Sequence, residues 1–167
     1  MTAASANSTG AGPLEALGSR CPLCTSPATS PLWQNAELRV VAADDSPIPG
    51  FTRVVWTTHV REMSDLDPGA RSRLIETVWQ VEKTLRACLQ PQKVNVASLG
   101  NQVPHLHWHI IPRWPDDPWF PDPVWSAATP ERLAGAAWAS RRERLSARLD
   151  AYHSGLAAAL QGLRRSS

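Results

Sequence analysis

Three histidines alternate with bulky apolar residues in His105-Leu-His-Trp-His-Ile-Ile111, and no other run constrains the chain as tightly. Strand side chains alternate between faces. The run therefore predicts a strand whose Leu106, Trp108 and Ile110 enter a core, while His105, His107 and His109 share the opposite face. Alternate strand residues lie about 6.6 Å apart, so adjacent imidazoles can converge on one small group. The outer two would be about 13 Å apart by the same rise, too far for one metal to hold both.

Imidazole can attack phosphorus, carry a proton or bind a metal near neutral pH. In phosphoryl or nucleotidyl transfer the middle residue, His107, is the natural nucleophile. Its neutral nitrogen would form a covalent phosphoramidate and split one hard displacement into two easier ones. His109 would hold a phosphoryl oxygen or help to protonate the leaving group. The preceding turn supports this chemistry, since Gly100 permits close backbone approach and Asn101 and Gln102 carry amide donors suited to an oxyanion.

The remaining segments predict an α+β domain built on an antiparallel sheet. Leu38–Ala42 reads as a strand with a shorter piece near Leu32–Gln34, and Phe51–Thr57 is β-branched and aromatic. A helix entered through Asp67-Pro68 runs to about Leu89. It carries one apolar stripe of Leu74, Val78, Val81, Leu85 and Cys88, and Pro91 ends it. Val94–Leu99 and Leu106–Ile111 are two further strands across Gly100-Asn101-Gln102. Residues 116–130 read as a Pro/Trp-rich loop, and Trp114, Trp119, Phe120 and Trp125, which follow the triad strand, either cover the pocket or stack on a base, or pack on the sheet. Residues 131–167 read as a helical extension, with Leu145, Leu149, Leu156, Leu160 and Leu163 facing the domain or a second subunit. The run Arg141-Arg142-Glu143-Arg144 reads as a solvated helix face.

A net charge of +2 gives no argument for nucleic acid or an anionic membrane as partner. No apolar run approaches the ~20 residues needed to span a bilayer. Residues 1–19 are Ala-, Ser-, Gly- and Thr-rich, without a basic start or an apolar stretch. They read as a disordered tail rather than a secretion signal. Three cysteines make no disulfide framework, so a cytoplasmic location is expected.

The histidine run resembles the His-φ-His-φ-His-φ-φ signature of the histidine triad superfamily of nucleotide hydrolases and transferases. Lys93–Val103 resembles the strand and loop before it. Pro112-Arg113 matches a common continuation in the diadenosine-polyphosphate-hydrolase-like branch, and Pro47–His59 resembles the family's Pro-x-x-Gly-His-x-x-x-x-Pro-x-x-His stretch. The likeness covers about residues 20–115, taken as the catalytic domain. It implies cleavage of an α-phosphate linkage in dinucleoside polyphosphates or nucleoside phosphoramidates, with His107 as nucleophile, and a homodimer. It also implies that Asn95 and Asn101 contact phosphate and that Asp44 lies near the ribose. Two departures stand out. Phe51 occupies a position where many relatives have His, and Gln102 replaces a Ser or Thr that assists the leaving group. They motivate a second reading, a nucleotide-binding, zinc-stabilised interaction protein with vestigial catalysis.

Cys21-Pro-Leu-Cys24 is half of a zinc site, a redox pair or two inert thiols. By the same resemblance, such a pair joins a distant His and the first His of the signature, here His59 and His105, around a structural zinc. A third reading, a zinc hydrolase using two triad histidines as ligands, predicts that chelation stops activity without unfolding. Cys88 reads as a small core residue.

Overall fold

A computed structural model describes residues 21–25, 30–43 and 45–163. The expected tail at 1–19 and the ribose candidate Asp44 lie outside the described residues. Five strands form one sheet: β1 (Trp33–Gln34), β2 (Leu38–Ala42), β3 (Thr52–Trp56), β4 (Lys93–Ser98) and β5 (His107–Arg113). Their spatial order is β1-β2-β3-β5-β4, and every neighbouring pair is antiparallel. The helices are α1 (Pro22–Thr25), α2 (Pro68–Leu89), α3 (Pro130–Leu133), α4 (Ala136–Ser146) and α5 (Leu149–Leu163). The expected α+β class is the one observed, with the long helix after β3 and helices at the C-terminal end.

Register separates two chemistries onto two faces. Val40, Val54 and Trp108 make one cross-strand row, and Ala42, Thr52 and Ile110 make the next. Beneath this face lies the core, where α2 buries Leu74, Val78, Val81, Leu85 and Leu89. Each such side chain contributes about 1.5–3 kcal/mol of apolar burial. The other face carries Val41, Arg53 and His109 in one row and Arg39, Val55 and His107 in the next. Only two of the three histidines expected on one strand face share this ladder, His107 and His109. β5 begins at His107: the Leu106 carbonyl still accepts from Trp56 at the end of β3, but the Leu106 N–H turns to the Val60 carbonyl, and the Trp56 carbonyl is taken by the His105 ring. His105 therefore lies before the strand. At the other end β5 continues through Pro112 to Arg113, past the last β3 pairing at Ile110. There the strand has one neighbour only, and a proline can turn its missing N–H to the open side.

Local chemistry sets the ends of α2. The Asp67 carboxylate accepts from the Ala70 N–H at 2.9 Å, Pro68 opens the first turn, and Gln90 closes the helix at φ 51°. Gly50 has φ 82°, and a Cβ there would collide with Leu89, so this turn into β3 demands glycine.

The apolar leucines of the C-terminal region divide between two helices. Leu145 is buried from α4, while Leu156 and Leu160 are buried from α5 with Tyr152. The Tyr152 hydroxyl shares a 2.7 Å hydrogen bond with Thr52 on β3, which docks α5 on the core face. The Pro/Trp-rich segment is tied down by Asp117, whose carboxylate accepts from Arg113 Nε and Nη2 at 2.8 and 3.0 Å. It also accepts from the N–H groups of Trp114 and Trp119. Trp114 enters the core, so the packing reading holds for it. One expectation changes here. Arg141 is not part of a solvated face, because it pairs with Asp116 at 2.6 Å and lies 5.7 Å from the Trp114 ring centre. Arg142, Glu143 and Arg144 are exposed. Cys88 is partly buried against the core. Among the described residues no helix is long and apolar enough to cross a membrane.

Candidate active site and metal cluster

His107 and His109 occupy successive positions on one face of β5, with ring centres 4.7 Å apart. Both are buried. The Nδ1 of His107 lies 2.6 Å from the carbonyl oxygen of His105. A carbonyl only accepts, so Nδ1 carries the proton and the lone pair is left on Nε2. Burial holds His107 below the ordinary imidazole range, with a further push from the Arg53 charge. Burial also lowers His109, to about 4, aided by His107 and Arg53 and opposed by Asp45. Both rings are therefore neutral at pH 7, as a nitrogen nucleophile requires.

His109 sits in an aromatic surround. Phe51 lies 5.5 Å away ring to ring, and Trp125 meets it edge-on at 5.4 Å. Trp125 thus brings the Pro/Trp-rich segment into contact with the triad while staying largely exposed itself. The buried Nδ1 of His109 has no hydrogen-bond partner among the described residues. Arg53 faces His109 across the ladder and donates to Asp45 at 2.9 Å. Its hydrogen bond is the main reason the Asp45 carboxyl is held below its usual range. Sequence reading missed Arg53. Alternation from Phe51 through Thr57, set against the register of β5, was the available signal.

The other expected contacts are spread around the triad. Asn95 is half-buried on β4, and its Oδ1 accepts from Arg113 at 2.9 Å, which leaves its NH₂ group as donor. Asn101 and Gln102 are exposed in the turn before the triad. Asn101 and Gly100 border an open cavity of about 660 Å³ whose lining includes Arg61, Glu62 and Asp65. A Cβ at Gly100 would meet only ordinary contacts at 3.8 Å, so none of the described residues requires glycine there.

Cys21, Cys24, His59 and His105 converge, each offering one ligand atom, with all four atoms within 4.8 Å of one another. Cys21 and Cys24 lie 3.4 and 3.3 Å from His105 Nδ1, and Cys24 lies 3.4 Å from His59 Nδ1. A tetrahedron with metal–sulfur bonds of ~2.3 Å and metal–nitrogen bonds of ~2.05 Å has sulfur–nitrogen edges of about 3.6 Å. His105 Nε2 donates to the Trp56 carbonyl at 2.6 Å, which frees Nδ1 as a lone-pair donor. Burial keeps this imidazole neutral by lowering its pKa. Desolvation, then the neighbouring Cys21, pushes the Cys24 thiol up to about 11, so this thiol needs a cation beside it to ionise near neutral pH. Two soft thiolates and two imidazoles suit zinc, and the donor set fits that ion. The Arg39 guanidinium braces the cluster by donating to the Leu23 carbonyl.

The HIT domain family matches residues 28–116, more than half of the chain. An uncharacterized HIT-like protein of Saccharolobus solfataricus is 32% identical over 87 residues, 48% of this chain and 63% of that protein. The chain thus spans less than two thirds of that relative's length. A histidine triad protein of Bradyrhizobium japonicum superposes with a TM-score of 0.52 at 28% identity, over 72% of this chain and 90% of that one. A histidine triad protein of Marinobacter aquaeolei gives 0.53 at 26% identity, over 74% and 90%. The matched span contains the strand of His107 and His109 and two of the four cluster residues, His59 and His105, and on it the chain belongs to the HIT domain family.

Proposed function

We propose that this chain is a nucleotide hydrolase or transferase of the diadenosine-polyphosphate-hydrolase-like branch, cleaving an α-phosphate linkage through a covalent His107–nucleotidyl intermediate. The observation that carries this reading is the bond from His107 Nδ1–H to the His105 carbonyl, which presents Nε2 as the attacking lone pair. In the first step Nε2 bonds to the α-phosphorus, the bond to the leaving group breaks, and the leaving group takes a proton from solvent. In the second, water attacks the phosphorus and gives a proton back to solvent, the P–N bond breaks, and a nucleoside monophosphate departs as Nε2 regains its lone pair. His109 holds a non-bridging oxygen beside the reacting centre. Asn95, Asn101 and Gln102 supply amide donors around the phosphate, and Asp44 borders the ribose. Cys21, Cys24, His59 and His105 would hold a zinc ion whose closed shell supplies stability rather than a reacting group.

The homodimer expected from the resemblance is supported by two features. β4 ends the sheet as an edge strand with Val96 exposed, and α2 exposes Ile75 and Trp79. A vestigial-catalysis reading draws on one observation: Phe51, not an imidazole, packs against His109.

The test is a turnover screen on dinucleoside polyphosphates and adenosine phosphoramidate, followed by mass spectrometry of the acid-quenched protein. The expected result is nucleoside monophosphate release with a nucleotidyl adduct mapped to His107. Nucleotide binding with neither turnover nor adduct would leave the vestigial reading standing instead.

A further inference from the structure

Arg53 is a charge that the triad reading does not use. It belongs to the same sheet face as the histidines, in the cross-strand row Val41–Arg53–His109–Ala97. Its other row-mates, Val41 and Ala97, are apolar, so packing alone gives no reason for a guanidinium there. Its side chain is 24% exposed, whereas the carboxylate it bonds, on Asp45, is 67% exposed. Salt bridges with so exposed a partner hold weakly, and releasing one costs little. The Phe51 ring, 5.4 Å from the guanidinium carbon, braces the arm from a second side. Among the described residues its one side-chain hydrogen bond is to Asp45, made by Nη2, and the fork's other N–H groups remain for an incoming anion. Beside it the buried Nδ1 of His109 is unpartnered. A neutral His109 brings no positive charge of its own. A polyphosphate entering here meets Arg53 as the formal cation across the ladder from His109.

We propose that Arg53 is a phosphate-binding residue of this site, exchanging the Asp45 carboxylate for substrate phosphoryl oxygens and selecting substrates whose scissile phosphate is followed by further phosphates. The planar fork can grip two oxygens at once, from one phosphate or from two neighbouring ones. A phosphoramidate carries a single charged phosphate and a neutral amine beyond it, so it gains less from the same arm. This specificity rests on the nucleotidyl-transfer reading above, whereas the phosphate binding itself does not.

The test uses the full chain, with calorimetric titration of AMP and of adenosine into wild type, Arg53→Gln and Arg53→Lys. Wild type should bind AMP more tightly than adenosine. Arg53→Gln should weaken AMP ~30-fold, the order of a charge-assisted hydrogen bond, and leave adenosine unchanged. Arg53→Lys should keep most of the AMP affinity. In turnover, Arg53→Gln should lower kcat/KM for a dinucleoside polyphosphate at least ~10-fold more than for adenosine phosphoramidate. Equal losses on both substrates overturn the selectivity, and unchanged AMP affinity in Arg53→Gln overturns the phosphate contact. If Arg53→Gln also loses adenosine, Arg53→Lys decides: retained AMP binding upholds the contact, and lost AMP binding ends it. A wild type that turns over neither substrate defeats the hydrolase reading and the selectivity, while the AMP and adenosine titrations still decide the role of Arg53 in binding.

Discussion

His105 and His107 share one backbone carbonyl between two tasks. The His105 ring joins Cys21, Cys24 and His59, while its carbonyl oxygen accepts the Nδ1–H of His107 at 2.6 Å. Whatever holds the His105 ring also sets the backbone that fixes the tautomer of its neighbour. The cluster is thereby coupled to the candidate nucleophile without touching it.

Replacing His107 by Asn removes the attacking nitrogen and keeps a small polar side chain. Turnover should fall by at least ~10³-fold, since losing a covalent nucleophile removes a whole pathway. Zinc content and thermal melting should match wild type. Steady-state kinetics with metal analysis on the same sample checks this, and near-normal kcat would remove His107 from the mechanism.

Purified protein should carry about one zinc per chain, and Cys21→Ser or His59→Ala should abolish it. Chelation should lower Tm and activity together, because an ion held by this cluster would anchor the segment around Cys21 and Cys24 to His105. Activity lost with an unchanged melt would point instead to a catalytic metal. Melting curves recorded alongside assays during chelator titration separate the two.

Arg113 and Asp117 form a buried ion pair, 2% and 0% exposed. Arg113→Met should destabilise the fold by roughly 3–5 kcal/mol, because it strands the Asp117 charge. The double variant Arg113→Met, Asp117→Leu should recover part of that loss, though Asp117 also holds the N–H groups of Trp114 and Trp119. Urea denaturation of both variants is the measurement. A single variant as stable as wild type would show that the pair contributes nothing net.

His109 gives a pH signature. Its pKa falls from 6.5 to about 4 on folding, so below 6.5 the unfolded chain binds a proton that the folded chain refuses. Its contribution is complete above 6.5 and is lost as pH falls from 6.5 towards 4, with a slope of about 1.4 kcal/mol per pH unit at most. His109→Gln should flatten the stability–pH curve in that window relative to wild type. Parallel curves from urea melts at stepped pH would contradict the buried, neutral ring.

Much of the architecture was legible in the chain because it depends on local periodicity. The stripe Leu74, Val78, Val81, Leu85 and the Asp67-Pro68 entry defined α2 almost to the residue. Alternation around His107 and His109 located β5 and its polar face. Other features were not local. The start of β5 moved to His107 because the Leu106 N–H found the Val60 carbonyl and the His105 ring took the Trp56 carbonyl, both groups far away along the chain. Arg141 left the expected solvated face because a tertiary neighbour, Asp116, was available to pair with it.

By itself the sequence determined which residue types stand at a period of two or of three to four, and so which faces are apolar and which carry imidazole. Tertiary structure alone decided that Arg53 stands beside His109 and Trp125 against the same ring, whereas the closing of the cysteine pair on His59 and His105 was expected from the family resemblance and not from spacing. The physical reason is range. Side-chain periodicity is written in neighbouring residues, whereas strand register and loop closure arise from the packing of segments far apart along the chain.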